Sequence, residues 1–339
     1  MKTRSFEDLR QEVWERGTCS GCGACVAVCP ADAICFDRTG GSLVPRNIGY
    51  CKLATDEVAC GACYDACPRT SEKPDEILGP HLGILSARAA MDVPRRQSGG
   101  AVTAIVAAAL DRGLIDAVVT VSEDRWSLRP ISTVITESGE LVRQAGSRYN
   151  WWVPLVSALK TAVIERKFQH IAVIGVPCVA QAVHAIRGSS NDLLKPFGAK
   201  IRLVVGLFCT ETFDYRVVAE DILSRQHRID TWQVERLDVR KGLHITLKDG
   251  SAVVIPLSEL EQAVRPGCRH CRDFTAVCAD VSAGAIGSPP GHTTLIIRSP
   301  AGKAFVNDAI SSGALLAGGE VDIAAIEKLG RVKAARAKD

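Results

Sequence analysis

The fold is decided by the stretch Cys19-Ser-Gly-Cys22-Gly-Ala-Cys25-Val-Ala-Val-Cys29-Pro30, which Cys51 and then Cys60-Gly-Ala-Cys63-Tyr-Asp-Ala-Cys67-Pro68 follow. The first run has the spacing C-x2-C-x2-C-x3-C-P, which is typical of cysteines that hold [4Fe–4S] clusters. Three closely spaced thiolates bind one cluster, and the fourth, set apart and followed by proline, binds the other. The sequence therefore predicts two clusters whose ligands interleave along the chain.

The predicted ligands form two sets: the first set is Cys19, Cys22, Cys25 and Cys67, and the second set is Cys29, Cys51, Cys60 and Cys63. The second set departs from the simple pattern, because eight residues separate Cys51 from Cys60. We interpret these residues as a loop inserted between two ligands. A pair of zinc sites or a disulfide knot is the alternative. The two C-P endings and the small residues between the cysteines favour clusters.

The composition excludes several classes of protein. The chain has 339 residues, which predicts two or three domains, and 47% of them are hydrophobic, enough for a packed core. The net charge of +3 gives no support for binding to nucleic acid. Twelve of the 14 cysteines lie in settings typical of metal ligands, which favours a reducing compartment and metal over disulfide bonds.

The apolar segments predict where the protein resides. The first residues, Met1-Lys-Thr-Arg-Ser-Phe-Glu-Asp8, lack the apolar segment of a secretory signal. The longest apolar run, Ala101–Leu110, is too short to cross a bilayer. We therefore expect a cytoplasmic protein with no transmembrane segment, and attachment to a membrane complex stays open.

Three regions are predicted along the chain. Residues 1–75 form a ferredoxin-like domain of α+β class that carries two [4Fe–4S] clusters, starts with an amphipathic helix and closes with a polar linker. Residues 81–320 form an α/β domain with a mixed sheet, because runs rich in Val and Ile alternate with segments of helical period. Residues 321–339 form a basic C-terminal tail in solvent. The strands expected in the second region are 117–121, 131–136, 171–176, 201–208, 233–239, 244–247, 252–256 and 293–298.

Four further cysteines, Cys178, Cys209, Cys268 and Cys271, are called the scattered set. Cys178 follows a predicted strand, Cys209 ends another, and Cys268-Arg-His-Cys271 is a C-x2-C loop. Strand ends on one side of an α/β sheet converge, so these four thiolates can hold a third [4Fe–4S] cluster. Buried structural cysteines and a zinc site are the alternatives. The two remaining cysteines, Cys35 and Cys278, lie in apolar surroundings and are expected to be core thiols.

Three glycine-rich segments are candidates for binding a dinucleotide. The segment Gln97-Ser-Gly-Gly100-Ala-Val-Thr103 opens a predicted helix, and free N–H groups at a helix start suit a pyrophosphate. In the second segment, Ala145-Gly-Ser-Arg-Tyr149, Arg148 can meet a phosphate and Tyr149 can stack on a ring. In the third segment, residues 284–294, the hydroxyl groups of Ser288 and Thr293 can bind a flavin edge. The segment Ser98-Gly-Gly100 alone is also typical of a capped turn. The candidate residues are Ser98, Gly99, Gly100, Thr103, Gly146, Ser147, Arg148, Tyr149, Gly287, Ser288, Gly291 and Thr293.

Nine short motifs follow one another between residues 97 and 298: Gln97-Ser-Gly-Gly100, Gly113-Leu-Ile-Asp116, Gly146-Ser-Arg-Tyr149, Gly175-Val-Pro-Cys178, Gly206-Leu-Phe-Cys209, Cys271-Arg-Asp-Phe-Thr275, Ala279-Asp-Val-Ser282, Gly287-Ser-Pro and Ile297-Arg298. In these motifs the chain resembles the family of coenzyme F420 hydrogenase/dehydrogenase beta subunits. The resemblance implies FAD in the α/β domain and a [4Fe–4S] cluster on the scattered set. It also implies electron transfer between a donor, often the deazaflavin coenzyme F420, and iron–sulfur partners.

The chain departs from the family pattern at two places. It has Gly284-Ala-Ile-Gly287 where the family often has Gly-Asp-x-Gly, so the acidic side chain is absent. Val179 directly follows Cys178, where the family usually has Gln, and Gln181 comes later. Neither change concerns a predicted cluster ligand, whereas both lie where the resemblance places flavin or donor.

These observations predict an oxidoreductase that is an iron–sulfur flavoprotein, in which FAD accepts two electrons from a donor such as reduced coenzyme F420 and the clusters carry single electrons. The expected partners are ferredoxin or other subunits of a redox complex, and we expect an oligomer or one member of a complex. A non-catalytic electron-wiring subunit and a ferredoxin-dependent reductase of an organic substrate are the alternatives. The sequence has no Gly-x-Ser-x-Gly, HExxH or P-loop motif.

No side chain is predicted to be an acid–base catalyst. His270 and His292 lie beside predicted cofactor loops, where they can move protons or simply make hydrogen bonds within the loop. Four arginines can attract FAD phosphates or an acidic donor, or can form a solvated basic surface: Arg95, Arg96, Arg143 and Arg148.

Overall fold

The computed structural model describes residues 3–37, 44–70, 76–146 and 152–337. Short elements make up the cysteine-rich N-terminal region. They are α1 (Phe6–Leu9), which continues as a π-helical segment (Arg10–Trp14), α2 (Ala24–Val28), β1 (Ile34–Cys35), β2 (Arg46–Asn47), α3 (Lys52–Asp56) and α4 (Ala62–Asp65).

The two short helices that carry cysteines, α2 and α4, begin in the same way. Each follows a glycine with a left-handed backbone, Gly23 with φ 87° and Gly61 with φ 69°. Glycine adopts such angles at little cost, so the chain can turn sharply between one cysteine and the next. Buried side chains of the first helical segment share a small hydrophobic core with three cysteines: Leu9, Val13 and Trp14 pack with Cys25, Cys63 and Cys67.

The rest of the chain alternates strands and helices. The strands are β3 (Gly83–Ala89), β4 (Ala117–Glu123), β5 (Pro130–Ile135), β6 (Ile171–Gly175), β7 (Ile201–Leu207), β8 (Val234–Val239), β9 (Gly242–Leu247), β10 (Ala252–Pro256), β11 (Val281–Gly284), β12 (Thr293–Ile297) and β13 (Leu315–Ala317). The helices are α5 (Ala101–Asp111), α6 (Ser138–Arg143), α7 (Ala158–Lys160), α8 (Pro177–Gly188), α9 (Lys195–Gly198), α10 (Leu257–Leu260), α11 (Pro300–Ser311) and α12 (Ile323–Arg336). Short 3₁₀ or π-helical segments lie at Leu155–Ser157, Thr161–Glu165, Val217–Gln226, Thr231–Gln233, Glu261–Ala263 and Pro266–His270.

Eight strands form one mixed sheet in the order β13-β3-β12-β11-β7-β6-β4-β5. β4, β6, β7 and β11 are parallel neighbours, and the strands on either side of them pair antiparallel. β6 is buried along its whole length, as expected for a central strand covered on both faces. Because β12 is antiparallel to both β11 and β3, β3 runs in the same direction as the four parallel strands and ends at the same side of the sheet. We call this side the carboxyl edge. In α/β sheets ligands bind outside this edge.

A smaller antiparallel sheet, β10-β9-β8, stands apart from the main sheet. It packs on the π-helical segment Val217–Gln226 around its own core, in which Ile222, Leu223 and Ile245 are buried. Gln97 links it to the carboxyl edge, because its Nε2 donates to the carbonyl of Leu237 at 2.8 Å.

The structure confirms the expected α/β domain with a mixed sheet, and each of the eight expected strands is present to within two residues at either end. β3, β11 and β13 were not expected. The basic tail expected over 321–339 is wrong for the residues described: α12 forms there and buries Ile326, Gly330 and Lys333. Its apolar side chains face the main domain, so the segment belongs to the fold. No helix among the described residues has the length and apolar character that a bilayer crossing needs.

Candidate functional site

The structure brings the four cysteines of the first set together. Cys22, Cys25 and Cys67 are buried. Burial raises the pKa of the Cys25 thiol well above its usual value, and the thiols of Cys19, Cys22, Cys67 and Cys63 raise it further because they lie nearby. The pKa of Cys67 is raised by burial and then by Cys22. A dry pocket with several sulfurs makes free thiolates costly, so it suits a positively charged metal centre that neutralises them.

The cysteines of the second set line one cleft at the surface of the N-terminal region. All four of its sulfurs are at the walls, together with apolar side chains such as Phe6 and Ile34; the cysteines are Cys29, Cys51, Cys60 and Cys63. Burial raises the pKa of Cys63 to about 12, and the other three thiols contribute to this rise. One sulfur already accepts a hydrogen bond, from the Ala33 N–H to Cys29 Sγ at 3.4 Å. The cleft is a preformed space bounded by four sulfur donors.

The scattered set meets at the carboxyl edge. Cys178 lies in the first turn of α8 directly after β6, and Cys209 follows β7 by two residues. The segment Pro266–His270 brings Cys268 and Cys271 to them. Burial raises the pKa of Cys209 well above its usual value; Lys333 lowers it, and the other three thiols raise it because they are close. Cys268 Sγ accepts a hydrogen bond from the Thr212 N–H at 3.4 Å.

The first set lies between the other two. Cys63 of the second set is among the thiols whose charge acts on Cys25. Cys22 is the first thiol, after burial itself, to raise the pKa of Cys178 in the scattered set. Among the described residues, no three or more His, Cys, Asp or Glu side chains are arranged to hold a single metal ion.

Three buried cations near these cysteines were not singled out from the sequence. Lys333 is 4% exposed, and its Nζ donates to the carbonyls of Cys209 and Asp273, each at 2.6 Å. Arg265 is 1% exposed, and Arg69 approaches the same region from the N-terminal domain. A helical period in Ile326, Gly330 and Lys333 could have indicated α12. No local pattern marks the two arginines, because their partners are distant in sequence.

The glycine-rich start of α5 meets the start of β12 at the carboxyl edge. Ser98 Oγ lies 3.0 Å from Thr293 Oγ1, which also accepts the Gly99 N–H at 3.0 Å. A Cβ on Gly99 would lie 2.6 Å from the Ala87 carbonyl oxygen, so only glycine fits there. Gly100 precedes α5 with φ 72°. Two of the three candidate segments are thus joined, and Thr103 lies in the first turn of the helix.

The other candidate residues are placed differently. Gly287 packs on α12, because a Cβ there would lie 2.8 Å from Ile326 Cδ1. Ser288 Oγ is 2.7 Å from Thr294 Oγ1 within its own loop. Gly291 has open space around it and φ 78°, and Gly146 has φ 128°. Ser147, Arg148 and Tyr149 lie outside the described residues.

Arg95 and His292, both proposed near the cofactor, have structural partners, whereas Arg148 lies outside the described residues. Arg95 Nη2 donates to the Arg143 carbonyl at 2.6 Å, and Arg95 Nη1 lies 3.9 Å from Glu123. His292 Nδ1 is 3.4 Å from the Pro290 carbonyl oxygen. Cys35 and Cys278 are half-buried and belong to none of the three sets. Burial raises the pKa of Cys278 to about 11, so its thiol stays protonated at neutral pH.

Family models match most of the chain. The model "4Fe-4S binding domain" matches residues 12–35. Two further models describe the coenzyme F420 hydrogenase/dehydrogenase beta subunit: the model of its N-terminal part matches residues 84–160, and that of its C-terminal part matches residues 168–322. The nine short motifs between residues 97 and 298 fall within the two beta-subunit ranges, whereas Cys51, Cys60, Cys63 and Cys67 lie between the matched regions and α12 begins just beyond them.

Three relatives share these regions. An uncharacterized protein of Methanocaldococcus jannaschii is 40% identical over 99% of this chain and 98% of its own length. The coenzyme F420-dependent sulfite reductase of the same organism is 33% identical over 98% of this chain, which spans about half (52%) of that protein. One subunit of the F420H2 dehydrogenase of Methanosarcina mazei is 30% identical, with 87% of this chain and 83% of the relative covered.

One solved structure has the same fold. A chain in a xenon derivative of the F420-reducing [NiFe] hydrogenase complex from Methanosarcina barkeri superposes with a TM-score of 0.72 at 27% identity. The match covers 78% of this chain and 92% of the other.

Proposed function

Since the chain belongs to the family of coenzyme F420 hydrogenase/dehydrogenase beta subunits, we propose that it carries electrons between reduced coenzyme F420 and one-electron iron–sulfur partners. Its proposed cofactors are FAD and three [4Fe–4S] clusters. The proposed ligands are the cysteines of the first, second and scattered sets. The 4Fe-4S binding motif of this chain supports the clusters, and the names of its relatives support the oxidoreductase class.

The observation that carries the proposal is the row of cysteine sets. The scattered set lies at the carboxyl edge, the first set lies next to it through Cys22 and Cys178, and the second set follows through Cys25 and Cys63. A storage or structural metal site has no need of such a row. A path for single electrons needs it, because each carrier must lie close to the next.

The residues present fit iron–sulfur clusters. The four cysteines of the second set line one cleft, and the cysteines of the other two sets are buried or half-buried. Bound clusters supply one-electron carriers whose potentials depend on charge, hydrogen bonds and solvent exposure. The protein contributes the backbone N–H groups of Ala33 and Thr212, each donating to a cysteine sulfur, and apolar walls that exclude water.

The carboxyl edge beside α5 fits the phosphates of FAD. The first N–H groups of a helix have no partner inside it, and Gly99 and Gly100 keep the α5 start free of side chains. The bond between Ser98 and Thr293 fixes this start against β12. FAD supplies the exchange between two-electron and one-electron chemistry. The scattered set lies at the same edge, so a flavin there would be next to the first carrier.

The second set lies at the end of the row away from the carboxyl edge, and we propose that the partner docks there. Cys51 and Cys60 are only half-buried, and the nearby Ile48 and Val58 expose 58% and 42% of their surface. One of the relatives is a subunit of the F420H2 dehydrogenase by name, and the sulfite reductase is about twice as long as this chain. A module that delivers electrons to a partner or to a fused domain fits both arrangements.

The proposal is tested by mixing anaerobic, cofactor-replete protein separately with reduced coenzyme F420, NADH and reduced ferredoxin. We expect reduced coenzyme F420 to bleach the flavin and the iron–sulfur absorbance quickly. Bleaching by reduced ferredoxin alone would overturn the assigned donor and favour a reductase acting at the flavin. Absence of FAD after denaturation of a careful anaerobic preparation would favour an electron-wiring subunit.

A further inference from the structure

Two arginines cross the boundary between the N-terminal domain and the α/β domain in opposite directions. Arg265 of the α/β domain donates through Nη1 to the Ser20 carbonyl at 2.6 Å, inside the loop that carries Cys19 and Cys22. Arg69 of the N-terminal domain donates through Nη2 to the Gly267 carbonyl at 3.1 Å, next to Cys268. Each arginine therefore donates a hydrogen bond to the cysteine-bearing loop of the other domain.

The contact around Arg265 is tight and specific. Its guanidinium carbon lies 4.0 Å from the centre of the Trp152 ring, within the range of a cation–π interaction. Trp152 Nε1 donates to the Gly21 carbonyl at 2.9 Å. A Cβ on Gly21 would lie 2.1 Å from Arg265 Nη1. The loop of the first set is thus shaped to receive this side chain.

The loop around Gly267 is equally close to the first set. A Cβ on Gly267 would lie 2.1 Å from the Cys19 carbonyl oxygen. The backbone of Cys22 is also tied to the α/β domain, because its carbonyl accepts the Val156 N–H at 2.8 Å. The first and scattered sets therefore share one continuous wall.

Cysteines of the first and scattered sets lie around both arginines. The Nε of Arg69 is fully buried and has no hydrogen-bond partner among the described residues. Burial acts to lower the pKa of Arg69, but the thiolates of Cys271, Cys178 and Cys67 outweigh it. Burial lowers the pKa of Arg265 overall, and the nearby Cys268, Cys19 and Cys178 act in the opposite direction. A buried cation without a counter-charge is costly, and here the counter-charge comes from two cysteine sets at once.

We propose that Arg69 and Arg265 are positioning residues that hold the first set against the scattered set and raise the reduction potentials of the two centres there. This rests on the proposed function, because it requires that both sets hold iron–sulfur clusters. A fixed positive charge stabilises the more negative, reduced form of a neighbouring centre. Both arginines contact loops of the first and scattered sets, through the carbonyls of Ser20 and Gly267, so the centre on the second set is the internal control.

The experiment is a redox titration followed by EPR on the anaerobically prepared full chain and on the variants Arg69→Met and Arg265→Met. We expect each variant to keep its iron and to lose at least tenfold in the equilibrium constant for reduction of two centres, about 59 mV per one-electron centre. The centre on the second set should titrate as in the parent protein. Arg331→Met, on an exposed arginine with 68% side-chain exposure, is the matched control and should change nothing.

Arg69→Lys and Arg265→Lys retain the charge and should recover most of the shift, which a purely structural role would not produce. If a Met variant fails to fold, the Lys variants are compared with Arg69→Gln and Arg265→Gln instead. The reduction potentials should stay close to those of the parent protein in the Lys variants and fall in the Gln variants. Unchanged potentials in the neutral variants, or an equal shift of all three centres, would overturn the proposal. Parent protein without iron would instead refute the proposed function.

Discussion

Lys333 on α12 holds the backbone of Cys209, since its Nζ donates to the Cys209 carbonyl at 2.6 Å. The same Nζ donates to the carbonyl of Asp273, two residues after Cys271, also at 2.6 Å. One buried cation therefore ties together the two chain segments that deliver three cysteines of the scattered set. The family model ends at residue 322, before this helix begins.

Lys333→Met should destabilise the protein by about 1–3 kcal/mol, because it leaves two buried carbonyl groups without their donor. Met is similar in length and removes only the charged donor. The free energy of unfolding in urea is the measurement, with Lys328→Met on the exposed side of the same helix as the control. Equal stability of the two variants would show that the Lys333 contacts contribute nothing.

The interleaving of the first and second sets predicts which centre each cysteine variant loses. Cys19→Ser and Cys67→Ser should remove the same EPR signal, and Cys29→Ser should remove a different one. Cys178→Ala should spare both and reduce iron from about twelve to about eight per chain, given four irons per cluster. Loss of one and the same signal in Cys19→Ser and Cys29→Ser would contradict the interleaving.

Gly99→Ala should destabilise the protein by about 1–3 kcal/mol through overpacking. The new Cβ would meet the Ala87 carbonyl and the Thr293 backbone, at 2.6 Å and 2.8 Å, and neither can move without disturbing the main sheet. Release of bound flavin should accompany the change, because the start of α5 shifts. Gly188→Ala, where a Cβ meets no atom within 4 Å, is the control for stability and flavin content. A Gly99→Ala protein as stable as this control would rule out the close approach.

Asp280→Ala should cost about 3–5 kcal/mol, the range for breaking a buried ion pair by removing one partner. Asp280 Oδ2 accepts the Val204 N–H at 2.7 Å and lies 2.9 Å from Arg187 Nη1, while Oδ1 accepts the Ser299 hydroxyl at 2.7 Å. Asp308→Ala breaks the exposed pair with Arg112 and should cost no more than about 1 kcal/mol. Thermal or urea unfolding measures both, and similar losses would contradict the role of Asp280 in joining β7 to β11.

Local patterns predicted the parts of the structure in which one residue type recurs at short spacing along the sequence, such as cysteines or apolar residues. The spacing from Cys19 to Cys67 predicted that these eight cysteines lie near one another, because ligands of one metal site often follow the chain closely; their assignment to two clusters stays a prediction. Apolar runs identified the central strands, such as β6, because both faces of a parallel sheet are buried. The strand-end position of Cys178 and Cys209 predicted that the two would meet.

Other parts depend on contacts that no local pattern contains. β13 has three residues and β11 has four, too few to show a period, and each is held by its neighbours in the sheet. The apolar face of α12 was hidden by its many basic and alanine residues. Gly287 was expected to lie near a flavin, yet its glycine is required by α12, which follows it by more than 30 residues. The contacts of Arg69 and Arg265 span 198 and 245 residues of sequence.

The positions of the cysteines along the chain set an order for biosynthesis. The first and second sets are both complete once residue 67 has left the ribosome, because Cys67 and Cys63 are their last members. The scattered set is completed only by Cys271, about 200 residues later, and its Lys333 anchor comes later still. If the first and second sets hold clusters as proposed, the N-terminal region can therefore receive them on the nascent chain. Maturation of the carboxyl edge has to wait until translation has passed α12.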